Sequence, residues 1–171
     1  MSVTLPESVD AWRMVTARRS FQGELPVAAL KRLGDALADD VGVAHFELDF
    51  GTDSFGTACL EVRVTSPLTL ICQRTLEPFV LPVVVDTQLG LIRNERDEAS
   101  LPPGFEPLLV ADDGKLSLLD VIEDELLLAL PLVPVNPDSS LPDEVVAPEV
   151  EETPASGRSD NPFAVLRELK K

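Results

Sequence analysis

A change of hydrophobic period at residue 43 decides the fold class of this chain. Ala44, Phe46, Leu48 and Phe50 alternate there with Val43, His45, Glu47 and Asp49. After the turn-like GTDSFG (51–56), Ala58, Leu60, Val62 and Val64 alternate in the same way with Cys59, Glu61, Arg63 and Thr65. A repeat of two sends successive side chains to opposite faces, so each run is a half-buried strand and the pair is an antiparallel hairpin with one wet face. LTLICQ (68–73) and FVLPVVVD (79–86) extend the meander. Pro82 marks an edge or a bulge, because proline cannot donate to a ladder. The expectation is an antiparallel sheet from about 41 to 92.

Helical spacing surrounds this sheet. Residues 10–19, DAWRMVTARR, predict a short helix capped by Asp10, with Trp12 and Val15 inward and Arg13, Arg18 and Arg19 outside. Pro26 suits a first helical position, and Ala29, Leu30, Leu33 and Leu37 follow at helical spacing, predicting a helix over 26–38 despite Gly34. ERDEASLPPGFEP (95–107) reads as a polar loop, and PLLVA (107–111) as a short strand before the turn DDG. Ser117 caps SLLDVIEDELLLAL (117–130), whose Leu118, Leu119, Ile122, Leu126, Ala129 and Leu130 form an apolar stripe ending before Pro131.

Residues 131–160 carry six prolines, many acids and no sustained period, which describes a flexible linker. In NPFAVLRELKK (161–171), Asn161 caps, Pro162 takes the first helical position, and Phe163, Leu166 and Leu169 share a face. So short a helix is marginal alone, and its apolar face is expected to dock on this domain or on a partner. The expected organisation is an α+β domain over 1–131, with helices packed on an antiparallel β-meander, then an acidic disordered linker over 132–160 and a C-terminal docking helix over 161–171.

Charge narrows the partners. The 171 residues carry a formal net charge of −16, distributed as +2 over 1–33, −6 over 34–93, −14 over 94–152 and +2 over 153–171. Such a field repels phosphate backbones and attracts basic partners. The acidic block reads either as a solvated surface with a linker or as a docking surface for a basic protein. No stretch is long and apolar enough to span a membrane, the N-terminus lacks a secretory pattern, and two cysteines suit a reducing compartment, so a cytoplasmic protein is expected.

Catalytic constellations are sparse. Asp120, Glu123 and Asp124 fall at i, i+3 and i+4 with Glu125 beside them, but metal or acid–base chemistry needs convergent partners and the single histidine, His45, lies on a distant strand. A solvated face is the expectation. Cys59, Cys72 and His45 are unpaired in sequence, so neither a zinc site nor a nucleophile with its base is expected, and the cysteines read as ordinary buried or half-exposed thiols. No phosphate loop, serine elbow or dinucleotide fingerprint is present. With 5% aromatics, no tyrosine, and Phe46 and Phe50 on the core face, general single-strand binding is disfavoured. Arg13, Arg18, Arg19, Lys31 and Arg32 are the candidates for a local RNA-binding patch, against a plain solvated face.

Three segments carry a family resemblance: CQRTLEPF (72–79), VIEDELLLALPLVPV (121–135) and NPFAVLRELK from Asn161. In order and spacing they resemble the YceD family, the large ribosomal RNA subunit accumulation proteins of bacteria with plant relatives. The likeness extends to the Gly23 region, the meander and the PPGFEP loop (102–107). The resemblance implies a small cytoplasmic factor needed for synthesis, processing or stability of large-subunit 23S ribosomal RNA, with no known catalytic activity. Many members carry Cys-x-x-Cys in the first segment and a further His or Cys after the Val-Pro-Val stretch, and have been ascribed metal and nucleic-acid binding. Here Cys72 matches the first cysteine, Thr75 stands at the second, and Asn136 follows Val135, so no cofactor is expected.

The residues matched to the family's segments, and so the candidates for partner contacts, are Cys72, Arg74, Glu77, Phe79, Glu123, Asp124, Glu125, Asn161, Pro162 and Phe163. The expected function is a non-enzymatic ribosome-biogenesis factor that binds a basic ribosomal protein or assembly factor. One alternative is direct binding of large-subunit RNA through the basic N-terminal residues. Another is an RNA-processing hydrolase using magnesium on the carboxylates of 120–125.

Overall fold

The computed structural model describes residues 5–140. The elements run β1 (Val9–Asp10), α1 (Ala11–Ala17), β2 (Ser20–Pro26), a 3-10 turn (Val27–Ala29), α2 (Lys31–Gly34), β3 (Val43–Thr52), β4 (Ala58–Ile71) and β5 (Pro78–Ile92). A second 3-10 segment (Glu95–Ser100), β6 (Glu106–Leu109), β7 (Lys115–Leu116) and α3 (Leu118–Ala129) follow. The main sheet has the order β2-β3-β4-β5-β6, and β1 pairs with β7 in a small ribbon. The fold class is α+β, as expected.

Period two does most of the building. Phe46, Leu48, Leu60, Val62 and Val64 lie in the core on one face of the sheet, joined by Leu118, Ile122 and Leu126 of α3 and by Ala11 and Val15 of α1. Each such leucine or isoleucine contributes roughly 2 kcal/mol by burial. Asp10 and Ser117 cap α1 and α3 as expected, accepting from the backbone N–H of Arg13 and Asp120.

Four expectations are corrected. Pro26 does not open a helix over 26–38; it ends β2, opposite Val43 of β3, and the chain then makes a 3-10 turn and a single turn of α2. Pairing with β3 outweighs helical spacing, while Leu30 and Leu33 still reach the core. LTLICQ is not a separate strand, because β4 runs unbroken through Pro67 to Ile71. The sheet is not wholly antiparallel: β6 lies parallel to β5 over Leu89–Ile92 after a crossover. That crossover is not plain loop, since Glu95–Ser100 is helical behind an Asn94–Asp97 capping box.

Pro82 does sit at an edge. It pairs with Pro67, beyond the last β3–β4 pair (His45↔Thr65) and short of the first β5–β6 pair (Leu89↔Glu106). Each proline thus has a neighbouring strand on one side only, and a proline nitrogen facing a free edge forfeits no ladder bond. The expected terminal helix with Asn161, Pro162 and Phe163, and the linker from 141 onward, lie outside the described residues.

Candidate functional site

The matched segments build two clusters, each made by a contact between parts of the chain distant in sequence. The first joins α2 to α3. Leu30, at the N-cap of α2, has no side-chain acceptor for the free N–H groups of that turn. Glu123 of α3 supplies one: its Oε1 accepts from the backbone N–H of Arg32 (2.6 Å) and Leu33 (3.0 Å). Its Oε2 accepts from Arg32 Nε at 2.8 Å, and Asp124 Oδ1 accepts from Arg32 Nη1 at 2.6 Å.

The acidic face of α3 is therefore not the solvated face expected. Glu123 is 4% exposed and Glu125 7%, while Asp120 and Asp124 remain at the surface. Their environments push them in opposite directions. Burial disfavours the Glu123 carboxylate, but the Leu33 N–H, the Arg32 guanidinium and the Arg32 N–H outweigh it and hold its pKa below the usual carboxylate range. Burial pushes Glu125 up, opposed by a hydrogen bond with Thr87 and reinforced by Glu106 and Asp124. With a guanidinium at its centre, the cluster is an ion-pair clamp and offers no open cation site.

The second cluster lies where β4 turns into β5. Cys72 N–H donates to Glu77 O (2.9 Å) and Leu76 N–H to Cys72 O (2.8 Å), with Leu76 in the left-handed region at φ 60°. The segment after α3 returns onto this turn. Gln73 N–H donates to Pro134 O (2.8 Å), and Asn136 N–H donates to the buried Cys72 Sγ (3.4 Å), which lies 3.6 Å from Ser139 Oγ. Arg74 closes the clasp, donating through Nε to Ser139 Oγ (3.1 Å) and through Nη2 to Asn136 O (2.9 Å) and Ser139 O. The hydrogen bond of Thr75 leads those of Asn136 and Ser139 in lowering the Cys72 thiol to about 6, against desolvation, which raises it. Residues 134–139, expected at the head of the linker, are thus held to the domain.

Cys72-x-x-Thr75 and Asn136-x-x-Ser139 form two pairs with the spacing of a structural zinc site, brought to one place. Only Cys72 offers sulfur, whereas zinc takes Cys and His donors, so this set does not fit the metal implied for family members with the complete motif. The clasp is closed by hydrogen bonds. Ser139, which sequence reasoning passed over, is signalled only by repeating after Asn136 the spacing of Thr75 after Cys72.

The other candidates are dispersed. Glu77 is exposed and Phe79 half-buried at the start of β5. Arg13, Arg18 and Arg19 are exposed at α1 and just beyond it, Lys31 shares a shallow hollow with Asp35, Asp39 and Asp40, and Arg32 belongs to the clamp. The five basic residues do not make one unopposed patch. Among the described residues no helix is long and apolar enough to cross a membrane.

Comparison with known proteins agrees with the matched segments. The family model described as large ribosomal RNA subunit accumulation protein YceD matches residues 60–170, a span that includes both Cys72 and α3. The protein of that name from Haemophilus influenzae is 30% identical over 172 residues, covering 98% of this chain and 97% of its own. No solved structure matches. With the Cys72 turn, the acidic helix α3 and near full-length similarity in agreement, the chain belongs to the YceD family.

Proposed function

We propose that this protein is a non-enzymatic, cytoplasmic ribosome-biogenesis factor needed for accumulation of large-subunit 23S ribosomal RNA, and that it acts by binding a basic ribosomal protein or assembly factor. The names of the family and of the Haemophilus influenzae relative support a role in accumulation of large-subunit ribosomal RNA. Charge carries the binding of a basic protein: a chain at −16 attracts cationic proteins and repels a phosphate backbone, and Arg32, one of its few candidate RNA contacts, already serves Glu123 and Asp124. The same pairing argues against a hydrolytic role for Glu123 and Asp124.

The test is an affinity pull-down from bacterial lysate with and without ribonuclease, alongside the ratio of 23S to 16S RNA in cells lacking the protein. Expected are large-subunit proteins that survive ribonuclease, and a fallen 23S ratio restored by the full chain. Truncation before Asn161 asks whether the terminal segment carries the contact. Large-subunit RNA retained only without ribonuclease, and indifferent to truncation, would establish direct RNA binding instead. In that case Arg18→Glu with Arg19→Glu abolishes retention, whereas Arg32→Glu breaks the clamp and reads folding.

A further inference from the structure

The core, α1, α2 and α3 occupy one face of the sheet; the opposite face is covered at its Cys59↔Gly90 end by Leu101, which follows the second 3-10 segment, and the rest of it has two unlike halves. In β4 and β5 the outward side chains pair in the order Ile71↔Pro78, Thr69↔Val80, Pro67↔Pro82 and Thr65↔Val84. These four rungs carry no charge, and Val80 and Val84 are 61% and 71% exposed. At about 6.8 Å between like-facing residues of a strand, the four rungs extend roughly 20 Å. A wet sheet face is ordinarily polar at alternate positions, so a contiguous uncharged strip with two exposed valines and two prolines is not what solvation alone selects.

The next rungs invert the character. Arg63↔Asp86 and Glu61↔Gln88 follow on β4 and β5, and Glu47 and Asp49 of β3 stand beside Arg63. Arg63 is already shared among Glu47 (3.1 Å), Asp49 (2.7 Å) and Glu61 (3.3 Å), and with Asp86 opposite it on β5 four carboxylates surround one guanidinium. An acidic lobe thus continues an apolar one. We infer that the outer face of β3, β4 and β5 is a docking surface for a cationic protein segment, whose apolar side chains cover Val80, Pro82 and Val84 and whose basic side chains meet Glu47, Asp49, Glu61 and Asp86.

Charge excludes the competing occupants. An RNA strand would meet this acidic lobe without an exposed aromatic on the strip to stack on. A second copy of the chain would bring −16 against −16. The inference rests on the protein-binding reading above and names its surface.

The test uses the full chain with a photo-crosslinking side chain at position 80 or 84, and at Phe55 as a control, since that residue is 85% exposed in the β3–β4 turn. The mixture offered is RNA-free total protein stripped from purified large ribosomal subunits, and separately 23S RNA. Positions 80 and 84 should capture basic proteins at least tenfold more than position 55. Val80→Ser with Val84→Ser should weaken retention a few-fold, and Val80→Lys with Val84→Lys at least tenfold, with thermal stability unchanged because both sites are exposed.

Equal capture from position 55, unchanged retention by the lysine variant, or crosslinks from position 80 or 84 to 23S RNA, to a second copy or to residues 161–171 would each overturn the surface. Restoration of the 23S ratio is read separately. If the lysine variant restores it as well as the unsubstituted chain, the surface is wrong and the biogenesis role stands. If the unsubstituted chain leaves the ratio unchanged, the biogenesis role fails, and the crosslinks still decide the surface.

Discussion

Glu123 and Glu125 stand two residues apart on α3, both buried, and the structure treats them oppositely. Glu123 completes the open end of α2 and pairs with Arg32, so its carboxylate stabilises the fold. A depressed carboxylate pKa contributes stability that is present above the unfolded value and lost as pH falls through the folded one. Glu123→Gln should therefore cost about 1–3 kcal/mol at pH 7, as for hydrogen bonds to a charged group, and the difference should close below pH 4. Denaturant melts across pH 3 to 7 check this; a difference constant with pH would refute the ionic account. Glu125, with its pKa raised first by burial, destabilises the fold when ionised and is relieved on acidification. Glu125→Gln should raise Tm at pH 7 by roughly 2–4 °C, with the gain vanishing as pH falls towards the ordinary carboxylate range.

At the scale of elements, the long β4–β5 hairpin projects a turn that pairs the N–H groups of Cys72 and Leu76 within itself, while residues 134–139 supply partners for the Gln73 N–H, the Cys72 thiol and Arg74. Arg74 donates to three acceptors on Ser139 and Asn136. Arg74→Ala should accelerate hydrogen exchange at the amides of Gln73 and Asn136 while leaving those of β3 and α3 protected; equal acceleration everywhere would mean that the clasp is integral to the core. Cys72 adds a pH signature to the same contact. Its thiol, lowered to about 6 in the fold against 9.0 otherwise, contributes stability above the higher value that is lost as pH falls through the lower one. Tm relative to Cys72→Ser should rise from pH 6 to pH 9. A flat difference would show that the thiolate is not selected by Thr75, Asn136 and Ser139.

For the whole molecule, the distribution of acid outweighs any single residue. Binding of cationic large-subunit proteins should weaken by about tenfold or more between 50 and 500 mM salt, measured by titration with the full chain, because surface pairs beyond a Debye length are screened. Salt-independent affinity would mean that apolar contact dominates. The alternation around Phe46 and Leu60 was legible because a repeat of two is local geometry: it dictates strands and an inner face whatever lies elsewhere. The caps Asp10 and Ser117 and the stripe Leu118, Ile122, Leu126 were legible for the same reason, since a helix closes its hydrogen bonds within a few residues. The end of β2 at Pro26 was not, because pairing with Val43 is a contact across the chain that local spacing does not record. Nor could spacing along α3 distinguish a wet acid from a buried one. Glu123 is buried because the first turn of α2, some ninety residues earlier, presents unpaired N–H groups and a guanidinium to it. Periodicity, caps and charge follow from neighbouring residues; strand pairing, the Arg32–Glu123 clamp and the Cys72 clasp exist only once folding brings distant groups within hydrogen-bonding reach.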